Sequence, residues 1–351
     1  MRRLTAGLWF VCMMFCLGVP ALAGEGRIPI WQPLTIGPGQ EGNYVLTRDI
    51  SQAPGAPAID ILAGTGTVEI DLNGFTISGA GSGTADIIRA QGVARLTVRN
   101  GTLIGTVSGD AIDAAGCDKV VIEDIVARGV NSHVAFDLDL VNHFKIRRSL
   151  VHRWSICIEA TGGVHGEIEA NQIRSCEGIW VDAFNVAVHD NRLKGTGPAI
   201  YIDYADTCLV ADNLVGDVNY NDQDGIVVRG DICNVLGNVI KLQASQGDGI
   251  VLHSSFGVVR DNAVMAAGNG LTVYGIANQI EGNVFSANAK AGIWFTSSSN
   301  DNTYGHNTLR WNGVAPGPCT STPPACGVPD VCDDGTNNTS FSDNMGPGPG
   351  C

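Results

Sequence analysis

The phrase DGIVVRGDICNVLGN at 224–238 returns as DGIVLHSSFGVVRDN at 248–262 and again as NGLTVYGIANQIEGN at 269–283. The spacing is kept while the letters change, so a shape is being repeated. An Asn that follows one short apolar stretch and precedes another recurs at Asn73, Asn100, Asn171, Asn191, Asn213, Asn238, Asn262, Asn283 and Asn307; Asp124 and Arg148 take the same place where the Asn is missing. The gaps run from 20 to 27 residues, which marks a structural repeat with loops of variable length. Within each period, GIVVRG, GIVLHS, GLTVYG and GIWFTS place a hydrophobe at every second position. That is strand periodicity with one buried side. No 3.6-residue pattern is sustained after the first residues. Three short strands per period cannot bury their inner sides alone, but stacked coils can. The expectation is an all-β chain wound as one parallel solenoid, each coil adding ~4.8 Å to the stack. The recurring Asn suits a stacked ladder, because its amide both donates and accepts. The Gly opening each phrase suits a tight corner.

Composition narrows the setting. The first 23 residues begin with Arg2 and Arg3, continue with an apolar run at Leu8–Val19 and end in Ala21-Leu22-Ala23. The run is too short to span a bilayer, so it reads as a cleaved leader of a secreted or periplasmic protein. The net charge of −14 repels nucleic acid and anionic membranes, and no later run could span a membrane. With Cys12 and Cys16 in the leader, an odd number of cysteines remains, so at least one thiol is free or pairs between chains. Cys319, Cys326, Cys332 and Cys351 crowd the end of the chain and suggest a disulfide-stapled tail. The expected organisation is a leader at 1–23, an N-terminal cap at 24–56, about 10–11 coils at 57–313 and a Pro/Gly/Cys-rich tail at 314–351.

GNYVLTRDI (42–50), VEIDLNGFTISG (68–79) and the G-I-x-V … N-x-V repeats resemble the secreted right-handed parallel β-helix proteins over roughly residues 42–313. These include pectate-lyase-like, polygalacturonase-like and alginate-epimerase-like enzymes, and the periplasmic copper-delivery accessory protein of nitrous-oxide reductase. The resemblance implies a right-handed coil. It also implies that substrate lies across the first strand of successive coils, the strand that opens each phrase. These are scaffold motifs, and fold does not carry activity. The chain has neither the Asp-Pro-His-Asp motif of alginate epimerases nor a pectate-lyase signature.

On that first strand, alternate residues face outward. Indexed by the first buried hydrophobe, the second outward position reads Asp139, Glu159, Asp182, Asp203, Arg229, His253, Tyr274, Thr296 up the stack. Beside it run Asp137, then the aromatics Trp180, Tyr201 and Trp294, whose faces suit sugar rings. Asp137, Asp139, Glu159, Asp182 and Asp203 suit a hard cation such as Ca²⁺, which would neutralise a uronate carboxylate. Arg229, His253 and Tyr274 are then placed to take or deliver protons. The reading is an acidic-polysaccharide lyase or C5-epimerase. A non-catalytic glycan-binding scaffold is the alternative. A glycoside hydrolase comes next, on Asp224-Gly-Ile and Asp248-Gly-Ile, although that tripeptide also serves a plain turn. The seven His show no H-x-x-x-H pair for copper. Residues 141–154 gather His143, Lys145, Arg147, Arg148, His152 and Arg153, as a salt-bridged face or a hold for a sulfated or uronic chain.

Overall fold

The computed structural model describes residues 26–80, 85–105, 108–130, 133–195, 197–216, 223–243, 247–310, 312 and 331–340. The expected leader at 1–23 lies outside them. The described residues form 37 strands and no helix. Every strand pairs in parallel with its counterparts one coil away, as period-two apolar alternation demands of a chain with one buried side per strand. The first strands make a 13-stranded sheet running from Leu34–Ile36 to Val331–Asp333. The second and third strands make a 24-stranded sheet that bends between them. Val331–Asp333 and Thr339–Ser340 lay a further turn on the stack, so this part of the Cys-rich end belongs to the solenoid.

The interior is made of aligned columns. Ile179, Ile200, Ile226, Ile250, Leu271 and Ile293 stand in register in the first sheet, all fully buried. The bend between second and third strands would leave backbone groups facing inward without partners. A buried ladder of Asn171, Asn191, Asn213, Asn238, Asn262, Asn283 and Asn307 answers them. From Asn191 onward each amide oxygen accepts from both the N–H and the side-chain Nδ2 of the Asn one coil earlier, as in Asn213 to Asn238 at 3.0 Å and 3.0 Å. Asn238 Nδ2 in turn donates to the Val210 carbonyl at 2.8 Å.

The ladder corrects one assignment. Ser149, and not Arg148, precedes Asn171 in it, and Ile125 donates to the Ser149 hydroxyl. Asp124 and Arg148 stand one residue earlier, at the bend itself, with φ of 56° and 50°. Asn73 and Asn100 share that left-handed conformation, so they occupy the turn position and not the ladder position. The phrase-opening glycines also have another reason than the expected one. A Cβ on Gly249 would meet Val264 Cγ1 at 2.1 Å, and one on Gly270 would meet the Gly292 carbonyl at 2.5 Å. The demand is close approach between coils. Two disulfides, Cys157–Cys176 and Cys208–Cys233, tie successive coils, and Cys117 is a buried free thiol.

Candidate functional site

The first sheet presents two outward columns. One reads Asp113, Asp137, Glu159, Trp180, Tyr201, Val227, Val251, Thr272, Trp294 in register. The other holds Asp139, Thr161, Asp182, Asp203, Arg229, His253, Tyr274 and Thr296. Glu159 therefore leaves the place expected for it. It stands beside Asp137, and Thr161 takes the rung between Asp139 and Asp182, donating to Asp139 at 3.0 Å. The expected run of four carboxylates in one column is broken.

At its lower end the face is acidic. Burial, then Asp86 and Asp110, pushes Asp113 up to about 7. Burial, then Asp110 and Glu159, does the same to Asp137. Arg89 closes this run through paired bonds to Asp60 at 3.0 and 2.9 Å. Higher up, a cleft of about 240 Å³ is lined by Glu159, Thr161, Trp180, Val181, Asp182, Tyr201 and Asp203. Trp180 and Tyr201 stack there at 5.0 Å between centroids. Trp180 Nε1 and Asp203 Oδ1, a donor and an acceptor, are buried with no hydrogen-bond partner. Trp294 is not part of this stack. Val227, Val251 and Thr272 separate it, and its Nε1 donates to Asp334 at 3.1 Å.

A second cleft, about 470 Å³, shares Tyr201 and adds Asp224, Val227, Arg229, Asp248, Val251, His253 and Tyr274. It brings Arg229, His253 and Tyr274 together and joins to them Asp224 and Asp248, the two acids singled out for the hydrolase alternative. Both acids do serve the turn. Asp224 accepts from the Asp248 N–H at 2.7 Å, and Asp248 accepts from the Asn269 N–H at 2.8 Å and the Thr272 hydroxyl at 2.5 Å. Burial, then the neighbouring Asp248, nevertheless pushes Asp224 up to about 6. Burial, then Arg229, holds the His253 imidazole below its ordinary value. His253 and Tyr274 stack at 4.3 Å with planes 5° apart. Burial, then Asp248, raises the Tyr274 phenol. The Arg229 guanidinium lies 5.1 Å from the Tyr201 ring centroid and forms no ion pair among the described residues. The cleft thus offers a cation, an imidazole, a phenol and two carboxyl groups over a floor of two valines.

Among the described residues, the one group that brings three ligand atoms within 4.8 Å of one another is Glu167, Glu169 and His189, on the second strands. Lys145 already binds both of its carboxylates, at 2.7 and 2.9 Å.

No curated protein sequence matches this chain. Two family models do. One, described as periplasmic copper-binding protein (NosD), matches residues 168–315 and 221–339; the other, right handed beta helix region, matches 86–240. Among solved structures, the A-module of the Azotobacter vinelandii mannuronan C-5 epimerase AlgE4 is 16% identical, with TM-score 0.52 over 88% of this chain and 90% of that one. A mutant of the periplasmic alginate epimerase AlgG is 14% identical, with TM-score 0.52 over 92% and 84%. The catalytic unit of a GH87 α-1,3-glucanase from Streptomyces thermodiastaticus is 14% identical, with TM-score 0.51 over 78% and 64%. At such identities the likeness is one of fold. Copper, which the first family's description implies, prefers imidazole and sulfur donors. The Glu167, Glu169 and His189 group offers one imidazole and two lysine-bound carboxylates, and the stacked His143 and His165 rings, 7° from parallel, cannot aim their in-plane lone pairs at one ion. The described residues do not fit copper. The parallel three-strand coils and the family models that match parts of them show the fold of this chain as a right-handed parallel β-helix.

Proposed function

We propose that the first-strand face binds an acidic polysaccharide along the stack and acts on it as a uronate lyase or C5-epimerase. The observation that carries this reading is Arg229. It is unpaired, in a chain of net charge −14, and lines one cleft with Asp224, His253 and Tyr274. A uronate carboxylate against Arg229 acidifies the adjoining C5–H, because the charge that develops on proton loss spreads into that carboxylate. His253, its imidazole held below its ordinary value by burial and then by Arg229, takes the C5 proton. Tyr274 holds the imidazole plane by stacking. Asp224, protonated below about 6, donates. If its proton goes to C5 from the opposite side, the product is the epimer. If it goes to the glycosidic oxygen at C4, the C4–O bond breaks and the electron pair left by the C5 proton becomes the C4–C5 double bond. Sugar rings along the stack would rest on Trp180 and Tyr201, with hydroxyls answering Trp180 Nε1 and Asp203 Oδ1. Asp182 and Asp203 would be the nearest protein ligands for a Ca²⁺ shared with substrate, with Asp139 two rungs away; Asp137 and Glu159 stand in the other column. Periplasmic or secreted placement belongs to this proposal.

The experiment incubates the protein with polymannuronate, polyguluronate and polygalacturonate, with and without Ca²⁺. Absorbance reads unsaturated ends and proton NMR reads C5 inversion. Product that disappears in Arg229→Ala supports the reading. No product from any polymer, with retention on an immobilised polyuronate, leaves the stacked pair at Trp180 and Tyr201 as a binding platform and removes the enzyme.

A further inference from the structure

The third strands carry a second, separate anomaly. Arg128, His152, Arg174 and Lys194 pair rung to rung in one outward column. Arg192 stands in the adjoining column, and Arg153 follows His152 at the next bend. No outward position of the third strands, from Thr76–Ser78 to Thr308–Arg310, is Asp or Glu. Yet the chain holds 35 acids against 21 Lys and Arg. The acids at the neighbouring bend are already engaged, Asp124 by Arg148 at 2.7 Å and Asp190 by His189 at 2.8 Å. Among the described residues Arg128, Arg153 and Arg192 form no ion pair, and Arg174 reaches only the Gln172 side chain at 3.3 Å. The crowding is felt at His152, whose imidazole is held low by burial and then by Arg128, Arg153 and Arg174.

Arg128, Arg153, Arg174 and Arg192, set on coils ~4.8 Å apart, repel one another along the stack. What would offset them is a partner whose negative charges recur at about that interval on a straight line. The flanking outward residues on the same rungs are Val126, Leu150, Gln172 and Arg192, with no aromatic to anchor in a membrane interface. We propose that the third-strand face from Arg128 to Lys194 is a docking stripe for a linear polyuronate, on a different sheet from the first-strand cleft. Only the choice of a uronate polymer rests on the function proposed above; the charge pattern stands apart from it.

The test titrates the full chain, an Arg128→Gln/Arg174→Gln/Arg192→Gln variant and an Arg229→Ala variant with polymannuronate and polygalacturonate across a range of NaCl. Dextran, anionic phospholipid vesicles and single-stranded DNA are the comparison ligands, and circular dichroism checks the fold. The triple variant is expected to lose at least about tenfold in polyuronate affinity at low salt, and about two units of the slope of log Kd against log salt. Arg229→Ala, which removes a single contact in the first-strand cleft, is expected to lose no more than about one unit of that slope. The stripe is overturned if the wild-type chain binds no polyuronate, if the triple variant binds as wild type does, if dextran binding falls equally, or if vesicles or DNA prove the tighter ligands of the same three arginines. Failure of the cleft reads differently: Arg229→Ala then keeps whatever turnover exists, while the triple variant still loses binding.

Discussion

On the second strands Glu123, Arg147 and Glu169 succeed one another rung by rung, and Lys145 stands beside Glu167. Arg147 meets Glu123 at 2.6 Å, and Lys145 meets Glu167 at 2.7 Å. On the third strands of the same coils Arg128, His152, Arg174 and Lys194 succeed one another with no acid among them. The first strands show the same contrast at Arg229. Scaffold and rung spacing are common to all three faces, so neither explains the difference. A solvated face can cancel its own charge by alternating sign across a ladder, and the second strands do so. Faces that stack one sign, or leave an arginine unpaired, leave that cancellation to a ligand. Order of charge, more than amount, is what the proposals for the first- and third-strand faces rest on.

The largest effect should come from breaking that contrast at the cleft. Arg229→Ala is expected to lower kcat/KM on a polyuronate by about 100- to 1000-fold, the scale for removing a charge that stabilises the transition state. Arg147→Ala, which removes the same group from the self-cancelling face, should leave it unchanged. Equal losses from both would mean that bulk charge, and not placement, governs turnover. Next comes Asp224→Asn, expected to cost about 100-fold. With Asp224 near 6 and His253 below its ordinary value, wild-type kcat/KM should peak on the acid side of neutrality. It should fall below the peak as His253 protonates and above it as Asp224 ionises. The variant should lose the upper limb; a limb that persists assigns the donor elsewhere.

Both faces depend on a register that the interior sets. Asn238→Ala removes the acceptor for the Asn213 N–H and side chain and the donor to the Val210 carbonyl. The Asn213 N–H and the Val210 carbonyl lose these bonds while Asn213 Nδ2 keeps the one to Val188, which should cost about 2 kcal/mol or more, read as a lowered midpoint in denaturant. A change within error would mean that water takes the vacated place.

Much of this was legible in the sequence, and the failures are instructive. Alternation reports which side a residue faces, so the strands, the inward columns and the cleft trio Arg229, His253 and Tyr274 emerged. It does not report the rung. In 155–163 both Ile156 and Ile158 are apolar, and indexing on the first moved Glu159 by two residues. A slip of two keeps the faces and is invisible to a period-two pattern. Cys157 has outward parity and is nevertheless buried, because its disulfide to Cys176 covers it. The bend at Asn73 and Asn100 misled for a related reason: Asn suits both the left-handed turn residue and the ladder residue next to it. The basic segment 141–154 divides in a way that spacing could not show. Lys145, Arg147 and Arg148 are bound by acids on neighbouring coils, whereas His152 and Arg153 join Arg128 and Arg174, which lie 21 to 25 residues away at unequal intervals.

The smallest effect tests the self-cancelling face itself. Bonding to Lys145 holds the Glu167 carboxyl below its ordinary value, and the same bonds, to Glu167 and Glu169, hold Lys145 above its own. A depressed carboxylate contributes stability that is complete above its unfolded value of about 4.3 and is lost as pH falls through the lower folded value. The raised lysine contributes stability that is complete below its unfolded value of about 10.4 and is lost as pH rises through the higher folded one. Between those edges Lys145→Met should cost no more than about 1 kcal/mol, because the pair is partly open to water and screened by salt. The cost should shrink in high salt and vanish in strong acid, where Glu167 is protonated in both proteins. A cost above about 2 kcal/mol, or one that survives acid, would show that Lys145 is held by packing of its stem, and the second-strand face would no longer be the self-cancelling surface against which the other two stand out.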